Sequence, residues 1–149
     1  MKLPVRVSVL FFLGVFAAGS TALGYYYYYF YSPPLVAAEN FMSAMETGNE
    51  ALLRQTILIA VGPDSATLRE PTGEETAALL REDFQRGRIL DQRKREGRTR
   101  DFDYLVYREP NGQVYALVAT KRGNEYRIVI PDRSMAAKRP YLWEYAWTN

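Results

Sequence analysis

Asp103 and Tyr104 are the nearest this sequence comes to an acid–base pair. The chain has no histidine and no cysteine. That excludes His-dependent catalysis, Cys nucleophiles, thiolate metal sites and disulfide scaffolds. Adjacent residues of a strand point to opposite faces. The alternation around them predicts Phe102, Tyr104 and Val106 on a core face, with Asp103 outside beside Asp101. So placed, Asp103 is a surface charge. The sequence predicts no catalytic residue, no metal ligand and no cofactor.

Two other groups could bind rather than react. Tyr104, Tyr126, Trp143 and Tyr145 lie in strand-like segments. They are either plain core or the wall of an apolar pocket for a lipid, a quinone or a hydrophobic peptide. Between residues 86 and 100 there are seven basic and two acidic side chains. Arg93, Lys94, Arg95, Arg98 and Arg100 form either a solvated surface or a site for anionic lipid or an acidic partner. Nucleic acid is not expected, because no aromatic residue interleaves these bases for stacking.

Charge elsewhere agrees. Lys2 and Arg6 precede a long uncharged stretch, and setting them aside leaves 17 bases against 17 acids. The sequence pI of about 8.8 therefore overstates how basic the rest is. The charges are dipolar: residues 39–79 hold seven acids and two bases, and residues 80–149 hold ten acids and fifteen bases. Such a surface orients a partner.

The elements that position these groups begin with the uncharged stretch. No charge falls between Arg6 and Glu39. Residues 7–30 would form about 36 Å of helix, enough to cross a hydrocarbon core of about 30 Å with some tilt. Tyr25, Tyr26, Tyr27, Tyr28, Tyr29, Phe30 and Tyr31 follow without a break, a composition suited to the membrane–water boundary. Pro33 and Pro34 then stop the helix. Positive flanking charge stays cytoplasmic, so the N-terminus is expected inside and residues 33–149 outside. The rival is a signal peptide cleaved near Gly24, after the small-residue site Ala22-Leu23-Gly24, which would release the domain. Gly14, Ala18 and Ala22 share a helix face and would allow two anchors to pair.

Beyond the anchor, apolar spacing predicts a helix over residues 34–47 and a second over residues 50–61. Thr72 and Glu75 have capping-box spacing for a third, running to about Arg86 and irregularly on toward Glu96. Strands follow over residues 102–107, 113–121 and 126–130. Pro110-Asn111-Gly112 supplies the first hairpin turn, and alternating Tyr141, Trp143, Tyr145 and Trp147 mark a last strand. The expectation is an α+β domain: three helices on a curved antiparallel sheet of about four strands.

The segments AAENFMSAMETGNEALLRQTI, TGEETAALLREDF, YLVYREPNGQVYALVATKRGNEYRIVI and YLWEYAW resemble, in that order, the helices and sheet of the nuclear transport factor 2-like superfamily. The resemblance implies a cone with a pocket between sheet and helices. Members of that superfamily include isomerases, cyclases, dehydratases and non-catalytic binding modules, some behind a bacterial membrane anchor. It implies a membrane-tethered binding or assembly module of the cell envelope, which meets another envelope protein or a second copy of itself. The alternative is a pocket-containing enzyme or carrier for a small apolar ligand.

Overall fold

The computed structural model describes residues 5–30, 32–61, 67–96, 100–131 and 139–144, with side chains of the first segment described over 13–26. The chain divides into two units, Met1–Ser32 and Pro33–Asn149. The first unit is helix α1, Val5–Phe30, 26 residues long. Every side chain from 13 to 26 is exposed, including Leu13 at 60%, Phe16 at 76% and Leu23 at 71%. Among the described residues no helix is long and apolar enough to cross a membrane.

In the second unit, helix α2 (Pro33–Thr47) buries Ala37, Ala38, Phe41, Met42, Ala44 and Met45. These recur at helical spacing and face the sheet. Gly48, at φ 66°, ends the helix in the left-handed conformation that glycine adopts without steric cost. The Asn49 side chain then accepts the amide of Leu52 at 3.0 Å and caps helix α3, Glu50–Thr56. Here the chain departs from the expected helix over residues 50–61. After Thr56 it becomes strand β1, Ile57–Val61. Periodicity cannot separate a short apolar run in a buried strand from one in a helix. Pairing with β6 decides the matter.

Strand β2 (Thr67–Arg69) turns back on β1. Helix α4, Gly73–Leu80, begins with the predicted capping box. Thr72 Oγ1 accepts the amide of Glu75 at 3.3 Å, and Glu75 Oε2 accepts that of Thr72 at 2.8 Å. The helix stops at Leu80, short of the expected Arg86. Residues 81–87 cross to strand β3, Arg88–Arg95, where the sequence suggested an irregular helix end. So charged a strand has no apolar alternation to reveal it.

Strands β4 (Phe102–Arg108), β5 (Val114–Arg122) and β6 (Glu125–Ile130) form the expected meander. The complete sheet has six strands rather than about four, in the order β2-β1-β6-β5-β4-β3. It is mixed rather than antiparallel, because β1 runs parallel to β6, with Ile57 opposite Ile128 and Ile59 opposite Ile130. The expected last strand is, among the described residues, one bridge between Trp143 and Ala116. Tyr141 packs in the helix-side core and Trp143 in a second cluster, so the two do not alternate as on one strand face.

The helix-side core joins α2, α3 and α4 to Leu105, Tyr107, Leu117, Ala119, Ile128 and Ile130. Phe41, Phe84 and Tyr141 meet at its centre, with ring centroids 5.7–6.4 Å apart. The outer sheet face carries a smaller cluster, Ala60, Val118 and Val129, against which Leu68, Phe102, Tyr104 and Trp143 pack.

Candidate interaction surface

The meander fixes which side chains share a face, and it reverses the expectation for β4. Asp103, Leu105 and Tyr107 face the helices, while Phe102 and Tyr104 join the outer cluster. Both faces of β4 are apolar, so alternation alone could not orient it. Asp103 is buried, not solvent-exposed as the alternation suggested. Its Oδ1 accepts a hydrogen bond from Gln92 Nε2 at 3.2 Å. Burial raises its pKa above the ordinary carboxylate value, and the bond from Gln92 and the charge of Lys94 oppose that rise. Tyr104, on the opposite face, cannot act with it on one molecule.

Strand β3 is an edge of the sheet and pairs with β4. Register places Arg88 opposite Arg108, Arg93 opposite Tyr104, Lys94 opposite Asp103 and Arg95 opposite Phe102. Residues directly opposite point to the same face. Arg88, Arg93, Arg95 and Arg108 therefore line the outer face beside two aromatic rings, and Lys94 points to the helix side. Arg93 Nε meets Asp91 at 3.0 Å, and Lys94 Nζ meets Asp101 at 3.2 Å. The hydrogen bond from Lys94 to Asp101 raises the lysine's pKa. Arg88, Arg95 and Arg108 are exposed and form no ion pair among the described residues. Arg100 is half-buried at the start of β4, and Arg98 lies outside the described residues.

Residues 81–87 hold β3 in place. Arg86 is clasped by Glu39 and Glu46 of α2, the latter at 2.7 Å. The Tyr107 hydroxyl accepts the Gly87 amide at 2.6 Å and donates to the Gln85 carbonyl at 3.0 Å. Burial raises the pKa of this phenol, keeping it protonated and able to donate. Gly87 sits so close that an added Cβ would lie 2.3 Å from the Arg108 carbonyl oxygen and 2.5 Å from the Tyr107 ring.

The three described aromatic candidates do not share one face of the sheet. Tyr104 and Trp143 belong to the outer cluster, with the Trp143 indole donating to the Val129 carbonyl at 2.9 Å. Tyr126 packs against the helix-side core. Tyr145 lies outside the described residues. A polar cleft of about 270 Å³ lies instead by Glu109, Asn111, Gln113 and Arg139. Buried Glu109 there meets Arg139 at 3.4 Å and accepts from Asn111 at 3.2 Å. Neighbouring Tyr115 and Tyr141 have pKa values raised by burial. Among the described residues no group of three or more acidic side chains is placed to hold a metal ion.

Tyr25 and Tyr26 of the aromatic run are exposed at 64% and 51%. Tyr27, Tyr28, Tyr29 and Phe30 continue the helix backbone, and Tyr31 lies outside the described residues. Sequence reasoning missed Arg88, Arg108 and Gly87, because their roles come from register and close approach. The hairpin turn at residues 110–112 was the one signal that could have led from β4 toward its partners. Comparison with known proteins finds no matching family model, no matching curated protein and no matching solved structure.

Proposed function

We propose that the chain is a membrane-tethered, non-catalytic binding or assembly module of the cell envelope. The observation that carries this is the filled space between helices and sheet. Fully buried Phe41, Tyr141, Leu117 and Ile128, with partly buried Phe84 packed against them, lie where a ligand pocket would be, while cationic side chains gather on an outer sheet edge. Function then belongs to the surface. The likeness to nuclear transport factor 2-like domains rests on the order of helices before the β4–β5–β6 meander, and a fold does not assign a function.

The tether is supported by α1 itself. A helix exposing Leu13, Val15, Phe16 and Leu23 to water would be costly, and an apolar medium removes that cost. With Lys2 and Arg6 at its N-terminal end, the N-terminus is cytoplasmic and the domain lies outside. Fractionation after alkaline extraction tests the tether, and a cytoplasm-active reporter fused after Asn149 tests the orientation. Release of the full-length chain into the soluble fraction, or a strong reporter signal, would overturn the respective part. Buried Asp103 favours the alternative of an enzyme or carrier. A small apolar molecule co-purifying with the wild type and lost from Asp103→Ala would establish it.

A further inference from the structure

We propose that the β3 edge is a docking strand for an acidic, extended segment of a partner protein. The segment pairs beside residues 91–95, and its alternate carboxylates meet the outer-face guanidinium groups. This rests on the binding-module reading and is independent of the tether.

The argument starts from the two sheet edges. Edge strands present unpaired backbone donors and acceptors, and proteins blunt them by brevity, charge or bulges. Strand β2 is blunted by its length of three residues. Strand β3 runs eight residues, and among the described residues β4 is its only partner. Its register is interrupted between Ile89 and Asp91, which leaves residues 91–95 as the regular run. Leu90 at the interruption is 41% exposed, an apolar contact at the end of that run.

Charge then selects the occupant. Strand β3 carries Arg88, Arg93, Lys94 and Arg95 against one acid, Asp91. A second copy of β3 would bring like charge against like and is rejected. An acidic strand gains the backbone bonds together with the ion pairs. Arg88 and Arg108 stand directly opposite each other, and like charges in that position repel. Folding gains nothing from the pairing, and it adds positive charge at the end of the regular run. Arg93 and Arg95 lie two residues apart on one face, so the incoming strand needs acids two apart on the matching face. Its other side chains would contact the β3 margin near Leu90. Strand addition with alternate side chains supplying specificity is an established recognition mode.

The test uses the full chain in a non-ionic detergent. Binding of a fluorescent peptide alternating Glu and Val is measured across a salt series, beside the same peptide with Gln for Glu. Amide hydrogen exchange is followed at residues 88–95. The expected result is saturable binding of the Glu peptide that weakens with salt, at least about tenfold weaker binding of the Gln peptide, and slowed exchange along β3. Arg95→Glu should weaken Glu-peptide binding about tenfold or more, whereas Lys121→Glu, away from this edge, should change it little. Unchanged melting curves for both variants confirm that folding is intact.

No binding at low salt, or binding without slowed β3 exchange, overturns the proposal. Equal loss in both variants overturns it as well, since it indicates non-specific charge. Association with phosphatidylglycerol–phosphatidylcholine vesicles but not with the peptide would make the edge a lipid surface and likewise overturn it. None of these outcomes bears on the tether, which is tested separately by fractionation.

Discussion

Replacing Gly87 with alanine should destabilise the domain, since among the described glycines it makes the closest approach to neighbouring atoms. The new Cβ would stand 2.3 Å from the Arg108 carbonyl oxygen, where ordinary contact begins near 3.4 Å. Arg108 is fixed in the β4–β5 ladder, so residues 85–87 must move by roughly 1 Å. That movement breaks the 2.6 Å bond from the Gly87 amide to the Tyr107 hydroxyl and strains the 3.0 Å bond onward to Gln85. Overpacking costs about 1–3 kcal/mol, and a part-buried Gly87 amide left without its acceptor adds about 1–3 kcal/mol. The lower entropy of the unfolded alanine chain returns about 0.4–1 kcal/mol. The net loss is about 1–6 kcal/mol, which at about 4 °C per kcal/mol lowers Tm by about 4–24 °C. Tyr107→Phe removes both bonds without the clash and should cost about half as much. Thermal unfolding followed by near-UV circular dichroism measures both variants. A Gly87→Ala protein melting within a degree or two of wild type would refute the close approach, and with it the placement of β3.

Other expectations follow from the same structure. The Glu75 carboxyl is held at about 2 by the Arg69 guanidinium at 2.5 and 2.8 Å, then by the Thr72 backbone and hydroxyl. A depressed pKa stabilises the fold above the ordinary value of 4.5, and the contribution is lost as pH falls from there toward 2. Both partners are partly exposed, so Glu75→Gln should cost no more than about 1 kcal/mol at pH 7, with the Tm difference closing below pH 4.5. Asp103 has the opposite sign: its raised pKa means that stability falls as pH rises through the folded-state value. Asp103→Asn should therefore melt at or above the wild-type temperature at pH 7, and a clear drop would show that the charge is needed. Trp143→Ala removes the indole bond to Val129 and a partly buried ring, and should cost about 2–4 kcal/mol in chemical denaturation.

The parts legible in the sequence are those governed by local chemistry. The capping box at Thr72 and Glu75, the stop at Gly48 and the turn at residues 110–112 depend on neighbouring residues alone, and all three stand where their residue types placed them. The β4–β5–β6 meander was legible because its strands are apolar and its turns short. What escaped was decided at long range. Ile57-Leu58-Ile59 is apolar enough for either a helix or a strand, and only β6 makes it a strand. Strand β3 carries charges instead of alternation, and most of its side chains are exposed. The faces of β4 were reversed because both are apolar. The candidate surface was half legible: Arg93 and Arg95 stand out in the sequence, but their alignment with Arg88 and Arg108 on one face needs the register.

The parallel pairing of β1 with β6 also constrains the order of folding. Residues 57–59 must wait for residues 128–130, a separation covering most of the domain. Contacts so distant in sequence are made late, because loop closure must precede their reward. Until β6 emerges, β1 has no neighbour on its inner side and the helix-side core lacks its central strand. A nascent chain therefore stays open until nearly its last segment is delivered. Under the proposed export of the domain, that delay keeps the polypeptide from locking before it has passed the membrane. The same delay leaves two unpaired strand edges exposed meanwhile, so a holdase should bind the emerging chain and release it only once β6 has docked.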